Sequence, residues 1–394
     1  MIEARYEAPA ELERLQRRAL IVGIGGAGLC ALGAFLSLEQ FFRSYLLGYL
    51  FWASIALGSL GITLLDHAVG GAWALAIRRF VEASARTIPL MLVLFLPLAL
   101  GLNYIYEWTH TEVVQADPLL LHKSRYLNVP FFLARTAFYF VVWIALAFIL
   151  TRWSRAQDEA GDPRLARRIR TFSSAGLALI VLTVTFAAYD WVMSLEPHWF
   201  SSIFGAVIGA SAVIAAFAFT IIVVSLFSRR DPLADVASPA LFGDLGSLML
   251  AFVMIWAYLS FSQFLIIWSA NIPEEATWYL RRLGGGWEWV AIVVVLLHFA
   301  VPFVLLLARP LRRDARQMRR VAGLILVMSF IHMFWQVTPA FSENGFRIHW
   351  LDLVTPIAVG GLWVAAFIWQ LRGWSLLPLH DPRLEEQAEA DGHH

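Results

Sequence analysis

The sequence predicts an all-α integral membrane protein with ten transmembrane helices. Two observations predict it. Ten apolar stretches are each long enough to cross a hydrocarbon core of roughly 30 Å, which takes ~20 helical residues. Alternate connections between them hold 23 of the 30 lysines and arginines on one side and 6 on the other, with Arg135 left inside a span. Only helices and closed barrels hide their backbone polar groups in lipid. Barrel strands would alternate over ~10 residues, whereas these stretches are continuously apolar. Composition agrees: 59% of the 394 residues are hydrophobic and 15% charged, with a mean hydropathy of +0.67.

The elements follow in order. A polar segment, 1–18, with Arg5, Arg14, Arg17 and Arg18, precedes the first span, 19–37, and reads as cytoplasmic and not as a cleavable signal. That span carries Cys30, the only cysteine, so no C-x-x-C-H for covalent haem and no iron–sulfur ligand set exists. The second span, 45–65, runs into Thr63, Asp66 and His67 and then a Gly70-Gly71 turn. Segment 70–87 predicts an amphipathic helix lying along the cytoplasmic face, with Arg78 and Glu82 at i,i+4 spacing, either as a docking surface or as a tether. Spans 88–106 and 287–308 contain Pro89, Pro97 and Pro302, which should kink them. Span 130–151 holds Arg135, and the 152–170 loop behind it has six arginines. Spans 171–194, 201–227 and 242–269 follow; Glu196 and His198 lie between the first two, and Asp244 opens the last. Gly284-Gly285-Gly286 reads as a turn, since no Lys-Ser/Thr of a phosphate loop follows it. Beyond 287–308 come another six-arginine loop, 309–320, span 321–337, span 352–371 and a tail, 372–394.

The positive-inside rule puts the arginine-rich connections and both termini in the cytoplasm. Topology thus explains the arginines, and nothing points to nucleic acid. Many of the 17 tryptophans, among them Trp108, Trp199, Trp268 and Trp289, fall at span ends, as interfacial rings do. The membrane domain, 19–371, carries an internal echo. Glu39 to Gly48 resembles Glu196 to Gly205 at an offset of 157, and the same offset maps several spans onto each other. This predicts two parallel four-helix bundles, helices 2–5 (about 45–194) and 6–9 (about 201–337), flanked by helices 1 and 10.

Ionisable groups inside hydrocarbon cost ~2.5–3.5 kcal/mol or more and need a partner or a function. At ~1.5 Å per residue they sort by depth. Near the outer surface lie Arg135 and Asp190, placed to pair across neighbouring helices. Glu39, Tyr189, Glu196, His198, Tyr258, Gln263, His332, Gln336 and Asp352 lie at or near that level. Two readings of this layer stand: a structural ion pair with capping residues, or a pocket where a quinone headgroup or exchanging protons meet the outer face. Asp66 and His67 form either a plain helix end or the inner mouth of a proton path. His298 is deeper, a buried neutral histidine or a relay member. His298 and His332 differ in estimated depth by ~6–8 Å, which makes a poor bis-histidine haem site.

Four stretches carry a family likeness: Leu64 to Trp73, Tyr189 to Phe200 (YDWVMSLEPHWF), Gly285 to Trp289, and Asp381-Pro-Arg383. Over nearly the whole chain the sequence resembles the F subunit of bacterial alternative complex III, a quinol:cytochrome c oxidoreductase. That family is related to the polysulfide-reductase-type quinone-site membrane subunits. The resemblance implies a bacterial inner membrane and a respiratory electron-transport complex. Its haem c and iron–sulfur clusters would be held by partner subunits, beside a second, paralogous ten-helix membrane subunit. This chain would have no redox cofactor of its own. The resemblance also implies proton translocation by this chain and contact with lipids and menaquinone or ubiquinone. The expected function is that of an oxidoreductase subunit with a proton path, and a quinone headgroup region near the periplasmic face. A secondary transporter and a purely structural anchor are the rivals.

Overall fold

A computed structural model describes residues 11–230, 233–342, 345–372 and 376–377. It is an all-α, multi-pass membrane protein. Ten helices are long and apolar enough to cross a bilayer: α1 Glu11–Leu36, α2 Leu38–Val69, α3 Arg78–Leu100, α4 Val129–Asp158, α5 Pro163–Leu195, α6 Phe204–Phe227, α7 Pro239–Ala270, α8 Trp287–Leu307, α9 Ala315–Phe341 and α10 Leu351–Leu371. Arg5, most of the 1–18 segment and Asp381-Pro-Arg383 lie outside the described residues, as does most of the 372–394 tail.

The boundaries follow from side chains that satisfy the free N–H groups of a first turn. Ser37 caps α2, Asn128 α4, Asp162 α5, Ser238 α7 and Asp314 α9, each accepting a backbone N–H two or three residues on. Proline follows the cap in α4, α5 and α7, where its missing N–H costs nothing. One residue, Ser37, separates α1 from α2.

Each predicted repeat closes on itself. α2, α3, α4 and α5 pack in a ring, as do α6, α7, α8 and α9, and the rings meet where α2 lies against α6. Those two are the most enclosed helices. Residues 50–57 of α2 share a slot with 208–212 of α6, and Gly58 abuts Ala212 and Ala216, so the two helices run the same way. α10 packs on α2 and carries α1 on its other side. Gly23 and Gly26 of α1 meet Gly361 and Ala358 of α10 so closely that an added Cβ would overlap the partner backbone. Small residues thus replace hydrophobic drive within lipid. The echoing stretches themselves differ: 39–48 is helical throughout, whereas 196–203 is a turn before α6. The repeat lies in the helix packing and not in that motif.

One expectation fails. Segment 70–87 does not lie along the membrane surface. Its helical residues Arg78–Ala85 are all buried and form the first turns of α3. Arg78 turns to Asp66, and Glu82 pairs with Arg79 at i,i+3. The amphipathic pattern is real, but its charged side finds buried counter-charges in place of water.

Candidate functional site

Helix alternation defines an arginine-rich and an arginine-poor end, and polar side chains cluster at three depths between them. At the arginine-poor end of the first bundle, Arg135 on α4 meets Asp190 on α5. Arg135 Nε donates to Asp190 Oδ2 at 2.9 Å and Nη2 to Oδ1 at 2.7 Å. Tyr139 O–H adds a bond to Oδ2 at 2.7 Å, and Arg135 Nη1 reaches the Tyr126 carbonyl at 2.9 Å. The guanidinium lies over the Tyr126 and Phe131 rings, 3.8 and 4.3 Å from their centroids. Asp190 is fully buried. A bidentate fork is the strongest geometry for this pair, and here it is also desolvated. Burial, with the Asp190 charge behind it, pushes the Tyr126 phenol up to about 12.

The second bundle holds a different centre, to which each of its helices gives one side chain: Ser211 from α6, Trp256 from α7, His298 from α8 and His332 from α9. The two imidazoles stack at 5.6 Å, 10° from parallel. The Trp256 indole stands across both, 4.6 Å from His298 and 5.1 Å from His332. Gln336 Nε2 donates to His332 Nε2 at 2.9 Å, so the ring proton belongs on Nδ1, 3.2 Å from Ser211 Oγ. His298 is fully buried, and among the described residues neither ring nitrogen has a hydrogen-bond partner; Trp256 Nε1 and Gln336 Oε1 are likewise unpaired there. Such groups carry a desolvation cost of about 1–3 kcal/mol each, and a buried cluster with this many unpaired atoms is unusual in a native core. His298 also sits in a π-helical turn, Val294–Ala300, a local form that recurs at functional sites. The two rings lie closer than the ~6–8 Å depth difference expected from counting residues, since their centroids are 5.6 Å apart.

From His332 the polar groups continue toward the arginine-poor end. Arg282, at the end of the short helix Pro273–Arg282, is buried over the Trp278 ring, 3.8 Å from its centroid. It donates to the Gln336 carbonyl at 2.8 Å and pairs with Glu196 at 2.7 Å; Arg281 holds the other oxygen of Glu196 at 2.8 Å. Burial lowers the Arg282 guanidinium to about 10, against the pull of Glu196. Beside it, Ser201 donates to Gln263 and Gln263 to the Tyr279 hydroxyl, and burial raises that phenol to about 12.

The third cluster closes the arginine-rich end of the first bundle. Arg78 holds Asp66 through bonds of 2.6 and 3.2 Å. Arg79 joins Glu82 at 2.6 Å, Ser154 at 3.0 Å and Asp158. His67 Nε2 lies 3.7 Å from Glu82, an ion pair only when the ring is protonated.

The outer-layer residues therefore do not form one pocket. Arg135 and Asp190 meet as expected, and Glu196 belongs to the second bundle's ladder. His198 is exposed and binds Asp117 at 2.5 Å, a contact that holds the Asp117 carboxyl below its usual range. Glu39 is exposed and pairs with Arg43. Tyr189 gives its hydroxyl to the Ser202 carbonyl at 2.8 Å. Tyr258 and Asp244 face outward, and Asp352 accepts from Ser44 of α2 at 2.5 Å and from the His349 backbone N–H at 2.8 Å. Linear depth counting could not separate these, because residues at one height lie on different helices. Sequence reasoning missed Arg282, Trp256, Arg79 and Asp158, and paired Glu82 with Arg78 where the structure pairs it with Arg79. Arg282 sits in a connection where arginine is ordinary, and only its burial sets it apart. The sole hint for Arg79 was its i,i+3 spacing from Glu82. No family model matches this chain, and no curated protein does.

Proposed function

We propose that this chain is an integral membrane subunit of a respiratory quinol:electron-acceptor oxidoreductase of the alternative complex III type. It lies in a bacterial cytoplasmic membrane with the arginine-rich end inside. Within the complex it carries a proton path; electrons pass through haem c and iron–sulfur partners, which stand beside a paralogous membrane subunit. The observation that supports this reading best is the second bundle's ladder. Mid-membrane imidazoles, of which His298 has both nitrogens unpaired among the described residues, lead through Gln336 and Arg282 to Glu196 at the arginine-poor rim. A lipid-embedded helix bundle gains nothing structural from such groups, whereas a proton path needs them.

The roles follow from the chemistry. The Asp66, His67 and Glu82 cluster is the inner mouth. Thr63 and Thr220, between it and the imidazoles, give their hydroxyls back to their own helices, so water completes that stretch. His298 accepts a proton on a free ring nitrogen, His332 lies in ring contact, and Glu196 exchanges it outward. The Arg135–Asp190 pair with Tyr139 is the quinone-headgroup candidate. Both Asp190 oxygens are engaged, so that role requires the pair to open.

The test is the purified complex in liposomes, with quinol oxidation and proton release followed together. Replacing His298 or His332 by Phe should leave haem-bearing partners copurifying and lower proton release per electron to about one, the proton that quinol oxidation itself sets free for each electron. An unchanged proton-to-electron ratio in both variants removes the path. Solute uptake by the purified chain alone would replace this reading with a transporter.

A further inference from the structure

A cavity of about 240 Å³ opens at the arginine-poor end, away from all three clusters. It lies between the start of α2, the end of α9 and the start of α10. Gln40, Arg43, Phe341, Arg347, His349 and Asp352 line it, and its surface is mainly polar. Its cations are the informative part. Arg347 is exposed and forms no ion pair or hydrogen bond among the described residues. Arg43 pairs with Glu39 and stacks on Phe341 at 4.9 Å, which leaves its buried Nε without a partner. The anion within the lining is already satisfied: Asp352 Oδ1 accepts from Ser44 at 2.5 Å, and Oδ2 from the His349 backbone N–H at 2.8 Å. Among the described residues the cavity thus presents one unpaired guanidinium, Arg347, beside Arg43 with its spare Nε, and no free carboxylate.

Its frame is fixed. Phe346 N–H donates to the Gly285 carbonyl at 2.7 Å, and the Phe346 ring packs on Trp287 at 5.1 Å. Arg347 therefore starts from an anchored backbone, which lowers the ordering cost of binding. From the cavity, exposed Ile348 and Trp350 lead onto α10, where Leu353 and Ile357 continue an apolar strip. Guanidinium donors at headgroup level above an apolar strip match a ligand with a phosphate at one end and hydrocarbon at the other.

We propose that this cavity binds the phosphate of a membrane phospholipid, held by Arg347 and Arg43, with its acyl chains lying along the exposed face of α10. The inference is independent of the proton path. It is tested by native mass spectrometry of the purified full chain, titrated with phosphatidylglycerol, with monogalactosyl diacylglycerol, which lacks phosphate, and with inorganic phosphate. The wild type should retain phosphatidylglycerol in preference to the galactolipid. Arg347→Ala should weaken that retention about tenfold or more, the scale of one lost charge-assisted contact, and Arg347→Lys should restore part of it. Arg125→Ala, which removes another exposed cation from the same end, should behave as wild type. Equal retention of both lipids, or an Arg347→Ala variant matching Arg125→Ala, overturns the site. Inorganic phosphate that binds as tightly as the lipid, and displaces it, overturns the lipid assignment. Arg347 touches no buried partner, so its loss should leave the fold intact.

Discussion

Asp190 accepts three hydrogen bonds from two side chains inside a dry bundle, and this makes it the residue whose loss is easiest to read. Asp190→Asn keeps the shape and removes the charge, which strands the Arg135 guanidinium. Breaking a buried pair from one side costs about 3–5 kcal/mol, whereas replacing both members with apolar groups is often close to neutral. Thermal unfolding in micelles should therefore show Asp190→Asn less stable than the Arg135→Leu/Asp190→Leu double variant. The reverse order would mean that the pair is solvated. Tyr126, at the same site but outside the spans, gives a pH test. Its phenol lies at about 12 when folded, against an ordinary ~10. A folded value raised above the unfolded one gives stability that is complete below pH ~10 and is lost as pH climbs toward the folded value, because the unfolded chain releases that proton first. Wild type should thus lose stability relative to Tyr126→Phe across that alkaline window and not below it. Difference phenolate absorbance between the two proteins locates the titration.

Helices were readable from the sequence because length and continuous apolarity are local properties, and each span has its ends within ten residues of their expected places. The π-turn of α8 was not. Pro302 has no N–H to offer the His298 carbonyl, so the irregularity has a local cause, but a proline in a span predicts a kink and not the form it takes. Segment 70–87 failed for a related reason: an arginine-rich amphipathic pattern looks the same whether its charged side meets water or meets Asp66 and Asp158 on other elements. The crossing of α2 and α6 was equally hidden, since nothing marks which glycine is the contact. A Cβ on Gly58 would lie 2.1 Å from the Ala212 carbonyl oxygen, while one on Gly61, three residues on, would meet nothing within 4 Å. Gly58→Ala should therefore destabilise the joined bundles by about 1–3 kcal/mol through overpacking. Gly61→Ala should be neutral or gain up to ~1 kcal/mol of helix propensity. Thermal unfolding of both variants decides it, and equal midpoints would mean that the crossing is looser than described.

At the scale of the molecule, the two rings and their flanking helices follow from span count and parity, which the sequence carries openly. The grouping of polar residues does not, because it depends on which helices adjoin. Arg135 and Asp190 could be paired from depth alone only because they sit on consecutive spans. His298 and Trp256 converge with His332 through a ring of four helices that no single segment encodes. The orientation of the whole bundle rests on its arginines: 23 basic residues on one side cannot readily be drawn across a membrane against the positive-inside bias. In a Cys30→Ala background, His122→Cys and Ala234→Cys place single exposed thiols at the arginine-poor and arginine-rich ends respectively. A membrane-impermeant maleimide applied to intact spheroplasts should label His122→Cys and spare Ala234→Cys until the cells are lysed. The orientation also sets the direction of the proposed proton path, since Glu196 lies with His122 and Glu82 with Ala234. Labelling of Ala234→Cys in intact spheroplasts would invert the bundle and make the Glu196 end the uptake side.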